Sequence, residues 1–232
     1  MSAVAIVPAR GGSKRIPRKN IRNFNKKPII AYPIEAALES GCFEEVMVST
    51  DDSEIAEVAR FLGAKTPFIR SARTADDFST LADVLKEVLT QYQKSGKNFE
   101  YFCCLLPTSP FVTAATIKSG FELLKKSQLD SVLTVAKYVH PIQRALKLNN
   151  DDTLEMFWPE NYTTRSQDLE PAYHDAGQLY WMRSQALLDQ MRLFAAKSGA
   201  VILSPDQVQD IDTQEDWACA ELKFQLMQHL KT

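Results

Sequence analysis

Positions 3 to 7 are apolar without a break, as a strand buried on both faces requires, and the chain then turns abruptly polar and basic. Helical and extended patterns alternate from there. Residues 33 to 40 predict a helix closed by Gly41, since glycine takes the left-handed conformation that ends helices. Residues 45 to 49 predict a second strand, 53 to 62 a helix ended by Gly63, and 64 to 69 a third short strand. Leu81, Val84, Leu85, Val88 and Leu89 recur at helical spacing across residues 81 to 93. Residues 99 to 106 form the most continuously apolar run, as expected of a central parallel strand. A helix over 113 to 127 and a strand over 131 to 136 follow.

Strand and helix in alternation imply right-handed βαβ units and a mostly parallel sheet covered on both faces. The rhythm breaks from 138 to about 173 into Pro-, Asn- and Asp-rich sequence with short apolar patches, an excursion from the core. Residues 177 to 182 and 200 to 203 read as returning strands, and 215 to 230 as a closing amphipathic helix. The expected organisation is therefore a core of residues 1 to 137 and 174 to 232 with an inserted segment at 138 to 173. Trp158 and Trp181 read as packing residues.

At 232 residues and 45% hydrophobic content, the chain can bury one sizeable core with room for an appended lobe. A formal charge of -2 excludes the global cationic character of a nucleic-acid coat or a membrane-surface protein. The four cysteines lack metal-finger spacing and disulfide-scaffold density, so they read as free, buried thiols. No apolar run reaches membrane-spanning length and no signal-peptide pattern opens the chain, so the expected location is the cytoplasm.

Charge is distributed unevenly. No acidic residue precedes Glu35, whereas Arg10, Lys14, Arg15, Arg18, Lys19, Arg22, Lys26 and Lys27 all fall in that stretch. Residues 9 to 20 thus read as a phosphate cradle, in which Gly11 and Gly12 let backbone N–H groups approach an anion and cations surround them. The loop has neither the Walker A spacing nor the Rossmann G-x-G-x-x-G spacing, which removes the kinase and dinucleotide readings. The alternative is a solvated basic loop, but adjacent glycines at the carboxyl end of a first strand favour a ligand. Arg10 and Lys19 are candidates for β- and γ-phosphate oxygens, Ser13 for a hydrogen bond to one, and Asn20 for the base or ribose.

Asp210 and Asp212 flank Ile211 in an extended stretch, so their carboxylates point to one side, as a hard cation such as Mg²⁺ requires. A helix start is the competing reading, and both hold together if Thr213 caps. Thr108, within Leu106-Pro107-Thr108-Ser109-Pro110, sits on a stiff turn after the most buried strand, where it serves a nucleotide or simply a helix entry. His174 and Asp175 precede a returning strand and suit hydrogen bonding to a substrate better than catalysis, because neighbours in a strand face opposite ways.

The chain resembles the acylneuraminate cytidylyltransferases nearly end to end. Pro8 through Asn20, Val48-Ser49-Thr50-Asp51-Asp52, Pro107-Thr108-Ser109-Pro110 and Asp210-Ile211-Asp212-Thr213 carry the likeness. Four further blocks, residues 141 to 146, 155 to 160, 164 to 169 and 173 to 178, are similar to the branch that activates pseudaminic acid. The resemblance implies an α/β, Rossmann-like, mostly parallel sheet sandwiched by helices, of the nucleotide-diphospho-sugar transferase type, with an inserted dimerisation arm. It implies CMP transfer from CTP to a nonulosonic acid with Mg²⁺, in a homodimer.

Carried over by position, Arg10, Gly11, Gly12, Ser13, Lys19 and Asn20 would hold the nucleotide, with Arg70, Ser79, Thr80 and Thr108 along its pocket. Asp210 and Asp212 would hold the metal, and Asp212, with Arg10 and Lys19, would serve catalysis. Gln143, Arg144, Arg165, His174, Asp175 and Gln178 would face the sugar, with Arg144 or Arg165 meeting its carboxylate. Leu106 stands where sialic acid enzymes usually have Gln, and His174-Asp175-Ala176-Gly177 where they tend to have Arg-Pro-Asn-Gly, which points away from N-acetylneuraminate. The alternatives are CMP activation of N-acetylneuraminate, legionaminate or 3-deoxy-octulosonate, and a catalytically silent homologue. An RNA-binding module is a weaker alternative, because Phe24 is the only aromatic between Arg10 and Lys27.

Overall fold

The computed structural model describes residues 2–229. Its first strand, β1 (Ala3–Pro8), sends Ala3, Ala5 and Val7 to one apolar layer and Val4 and Ile6 to the other, which explains its unbroken apolar run. A two-residue ladder, β2 (Asn23–Phe24) and β3 (Lys27–Pro28), leads into α1 (Ala31–Ser40), which Gly41 ends at φ 62°. This helix begins two residues before the predicted start. Pro33 is accommodated in its first turn, where a missing N–H costs nothing.

Strand β4 (Glu45–Ser49) leads to α2 (Ser53–Phe61), and α3 (Leu81–Lys94) precedes β5 (Tyr101–Leu105). Helix α4 (Ala114–Lys126) and β6 (Ser131–Lys137) follow. The chain then leaves the sheet and forms a small hairpin, β7 (Leu146–Leu148) with β8 (Leu154–Met156), flanked by short 3₁₀ turns. It returns as β9 (Tyr173–Arg183), α5 (Ser184–Gln190), β10 (Ser198–Leu203) and α6 (Gln214–His229). The predicted last helical residue, Leu230, lies outside the described residues.

The main sheet has the order β10-β6-β9-β5-β1-β4. All neighbours pair in parallel except β9, which runs antiparallel to both β5 and β6. The expected mostly parallel sheet is therefore present, with one long reversed strand at its centre. The predicted strand at 64 to 69 is absent; only Lys65 bridges to Met47, with N–H···O bonds of 2.8 Å on either side. Pro67 has no N–H to extend that ladder.

Helices cover both faces. Ile34, Ile55, Ile117, Phe121 and Leu124 pack on one side of the sheet with Trp181, while Leu85, Val88, Leu89, Tyr92 and Leu187 pack on the other. Burying each such side chain contributes about 1.5–3 kcal/mol. Trp181 is fully buried, but Trp158 is 40% exposed on the excursion, so only the first of the two is a core residue. Cys103 and Cys104 are buried and free as expected, whereas Cys219 is exposed on α6. Among the described residues, no helix is long and apolar enough to cross a membrane.

A third apolar cluster matters most for function. Ile16 from the basic loop, Phe24, Ile29 and Tyr32 pack with Ile211 and with Trp217 of α6. Edge-to-face contacts of Phe24 with Tyr32 and Trp217, at 5.6 and 5.5 Å, lock this cluster. It ties the start of the chain to its end.

Candidate active site

Strands β1, β4 and β5 all point their carboxyl ends to one edge of the sheet, where open α/β sheets bind ligands. The glycine loop leaves β1 there and lies against the loop after β4. The Ala9 N–H donates to the Ser49 carbonyl at 2.9 Å, and the Gly11 N–H to Asp51 Oδ1 at 3.0 Å. A Cβ on Gly11 would stand 2.6 Å from Asp52 Oδ2, so only glycine permits this approach. Gly12 faces open space, and the Ser13 N–H donates to the Gly11 carbonyl at 3.0 Å.

Arg18, at φ 54°, turns its guanidinium onto Asp52, with Nη2 3.0 Å from Oδ1, and onto Glu54. Asp52 also caps α2 by accepting the Ile55 N–H at 3.0 Å. Chiefly because of the Arg18 bond, its carboxyl is held down at about 2. Asn20 is 7% exposed and donates its amide to the Arg10 carbonyl at 3.0 Å, which closes the loop from within.

The other cations of the loop meet carboxylates brought from elsewhere in the chain. Arg10 Nη1 lies 2.8 Å from Asp77 Oδ1 and 2.9 Å from the Asp76 carbonyl, and Lys14 pairs with the same Asp77. Arg15 Nη2 lies 2.7 Å from Asp212 Oδ1. Lys19 Nζ donates to the Ile211 carbonyl at 2.6 Å and lies 3.3 Å from Asp212 Oδ1, across 193 residues of sequence. The Ile16–Ile211–Trp217 packing explains how so distant a pair meets.

Asp210 and Asp212 flank Ile211, which is 1% exposed, so both carboxylates face away from that cluster. Thr213 starts α6 as anticipated, its Oγ1 accepting the Asp216 N–H at 3.2 Å while Asp216 Oδ2 accepts the Thr213 N–H at 2.8 Å. Among the described residues, no group of three or more His, Cys, Asp or Glu side chains could hold a metal ion. The two hard carboxylates nonetheless fit a magnesium-like cation, which takes one or two protein carboxylates and completes its shell with water and substrate phosphate.

Arg70 is 6% exposed; its Nε donates to Ser49 Oγ at 3.1 Å and its Nη2 to the Ser49 carbonyl at 2.6 Å. It braces the end of β4 beneath the loop, and burial pushes its pKa down. Ser79 Oγ donates to the Arg73 carbonyl at 2.7 Å, and Thr80 forms a reciprocal cap of α3 with Asp83. Thr108 is half-buried beside Ser109, whose Oγ donates to the Leu106 carbonyl at 2.5 Å.

A cleft of about 530 Å³ opens at the same edge, lined by Leu106, His174, Asp175, Gly177, Tyr180 and Asp210 among others. Its wall is a bulge in β9, where the register with β6 shifts between Leu133 and Val135 and Gly177 adopts φ 61°. Asp175 holds the bulge, its Oδ1 accepting the Gly177 N–H at 2.8 Å and its Oδ2 the Tyr180 hydroxyl at 2.7 Å. Burial, and then the Asp175 charge, raises the Tyr180 pKa, so the phenol stays a donor. His174 packs edge-on against Tyr138, with centroids 5.0 Å apart.

The structure thus gathers Arg10, Gly11, Gly12, Ser13, Lys19 and Asp212 at the loop, and His174, Asp175 and Asp210 at the cleft. Gln178 lies behind the cleft wall, 3% exposed, with Nε2 donating to the Gln207 carbonyl at 2.5 Å and Oε1 unpartnered. Gln143, Arg144 and Arg165 sit on the excursion and do not line this cleft. Sequence reasoning missed Asp77 as the partner of Arg10 and Lys14, Asp52 as that of Arg18, and Tyr180 as the support of Asp175. For Tyr180 a signal existed, since it follows the assigned His174 and Asp175 on the same strand; for Asp77 none did.

A family model described as Cytidylyltransferase matches residues 4–224. The pseudaminic acid cytidylyltransferase of Campylobacter jejuni is 40% identical over 226 residues, covering 97% of each chain. The CMP-N,N'-diacetyllegionaminic acid synthase of Legionella pneumophila is 34% identical over 235 residues, covering 98% of each. Among solved structures, a CMP:2-keto-3-deoxy-manno-octonic acid synthetase complexed with CTP superposes with a TM-score of 0.71 at 19% identity, over 99% of this chain and 100% of that one. That last likeness speaks for the fold.

Proposed function

Because the chain belongs to the cytidylyltransferase family, we propose that this edge of the sheet transfers CMP from CTP to the anomeric hydroxyl of a nonulosonic acid, with release of pyrophosphate. The observation that carries the reading is the placement of the 210–212 segment. Asp210 lines the cleft while Asp212, two residues on, touches Lys19 and Arg15 of the glycine loop. One short segment therefore joins a cationic cradle to a cavity with room for a sugar.

Transfer of a nucleotidyl group asks a protein chiefly for positioning and charge neutralisation. Arg10, Lys19 and the open face at Gly12 and Ser13 receive the triphosphate, with Arg70, Ser79, Thr80 and Thr108 bracing or bordering the nucleotide pocket. Asp210 and Asp212 would hold a divalent cation, Mg²⁺, which when bound neutralises charge on phosphate oxygens. The sugar hydroxyl attacks the α-phosphorus, its proton passes to a carboxylate for which Asp212 is the candidate, and pyrophosphate departs from the cationic loop. His174 and Asp175 hydrogen-bond the sugar from the bulge.

Pseudaminic acid is the sugar this reading favours, supported by the higher identity to the pseudaminate relative than to the legionaminate one. The nine-carbon acid's carboxylate needs a cation, and Arg144 and Arg165 lie outside this chain's own cleft. A homodimer whose excursion reaches the neighbouring site would bring them there. The excursion's exposed Leu146, Leu148, Leu154, Phe157 and Tyr162 support such a partner surface.

Arg10→Ala is expected to lower CTP-dependent pyrophosphate release by about 10²–10³-fold, the effect of removing one charge-stabilising group. Circular dichroism should be unchanged, because among the described residues the Arg10 side chain bonds only to an exposed segment, and the backbone carbonyl that Asn20 holds is kept. Near-normal turnover would contradict the cradle.

A further inference from the structure

Segment 75–79 passes over the glycine loop, anchored at both ends. Before it, Thr74 is 3% exposed and donates to the Glu87 carboxylate; after it, Thr80 and Asp83 cap α3. Between these anchors the segment makes a local turn, with Asp76 Oδ1 accepting the N–H groups of Phe78 and Ser79 at 3.1 and 2.7 Å. Phe78 is 92% exposed, so no aromatic burial holds the segment down. Among the described residues, its hydrogen bonds to the glycine loop are those of Arg10 to the Asp76 carbonyl and of Arg10 and Lys14 to the Asp77 carboxylate.

We propose that Asp77 is an internal competitor for the phosphate cradle. Its carboxylate occupies Arg10, which an incoming polyphosphate needs, together with the neighbouring Lys14, and the polyphosphate displaces it, releasing segment 75–79. The proposal rests on the phosphate-cradle reading given above.

A carboxylate and a phosphate offer Arg and Lys the same thing, anionic oxygens for charge-assisted hydrogen bonds. Arg10 Nη1 engages both Asp76 and Asp77, so the guanidinium end that points at the segment is already filled. The pairs are solvent-exposed, with side chains 37%, 77% and 40% accessible for Arg10, Lys14 and Asp77. Exposed pairs are weak, so the closure is reversible, and a ligand carrying several negative charges outcompetes a single carboxylate. Apparent affinity then equals intrinsic affinity multiplied by the open fraction. When pyrophosphate leaves, the same carboxylate takes back the cations and hinders rebinding.

Calorimetric titration of the 232-residue chain with inorganic tripolyphosphate and with pyrophosphate tests this. Asp77→Asn, and Asp77→Ala, which has no amide carbonyl to offer Arg10, are both expected to bind about 3- to 10-fold more tightly than the wild type, from the weakness of exposed pairs and the open-fraction relation. The gain should shrink as added salt screens the pair. In turnover, the KM for CTP should fall in the same proportion.

Equal or weaker binding by both variants would overturn the proposal and make Asp77 a group that merely orients Arg10. Arg10→Ala separates this failure from a failure of the cradle. If Arg10→Ala binds tripolyphosphate as well as the wild type does, the cradle falls and the proposal with it. If Arg10→Ala loses binding while the Asp77 variants match the wild type, only the competitor role falls.

Discussion

Asp52 shows how single side chains here serve the fold and the site together. It caps α2, pairs with Arg18, and stands so close to Gly11 that a Cβ there would meet its Oδ2 at 2.6 Å. Asp52→Asn keeps a good cap acceptor and loses the charge, whereas Asp52→Ala loses both, so the alanine variant should be about 1 kcal/mol less stable than the asparagine one by urea unfolding. Because the carboxyl is held at about 2 in the folded protein, below its ordinary value of 3.8, its charge stabilises the fold fully above about pH 4. That contribution is lost as pH falls through about 2. The stability gap between wild type and Asp52→Asn should therefore narrow across that window, and a gap constant with pH would contradict the pairing. The Arg18–Asp52 pair was not legible in the sequence, although both residues stood out. Periodicity reports which face a residue occupies, and it does not report which loops converge at a sheet edge.

The elements divide in the same way. β1, β4, β5 and β6 and helices α1 to α4 were legible because each carries an apolar pattern, and α1 and α2 are also followed by glycine stops, Gly41 at φ 62° and Gly63 at φ 90°. The strand expected at 64 to 69 failed on one residue, Pro67, which ends a ladder that Lys65 had begun. The antiparallel direction of β9 and its place between β5 and β6 were not legible, because the long excursion before it leaves the chain free to return either way. The hairpin of β7 and β8 pairs Leu148 with Leu154, both more than 60% exposed. If it meets a second copy, Leu148→Lys combined with Leu154→Lys should convert a dimer to a monomer in sedimentation velocity with helix content unchanged. An unaltered sedimentation coefficient would show that the hairpin is not the contact.

Over the whole molecule, a chain of formal charge -2 concentrates cations at one loop and then covers them with Asp52, Glu54, Asp77 and Asp212 from three other places. The local positive field read from the sequence is internally balanced by these ion pairs, and the proposal above has a polyanion displace Asp77 from Arg10 and Lys14. The Ile16–Ile211–Trp217 cluster supplies the other long-range link, setting Asp212 against the loop. The basic loop and the Asp210–Asp212 pair each stood out in the sequence. Their union came from tertiary packing that no local pattern encodes. The most direct test of the account is pyrophosphate release by the purified protein with CTP and Mg²⁺, compared across pseudaminic acid, N,N'-diacetyllegionaminic acid, N-acetylneuraminic acid and 3-deoxy-octulosonic acid. The account predicts CTP-dependent release that is fastest with pseudaminic acid and abolished by a chelator; no release with any of the four would contradict it.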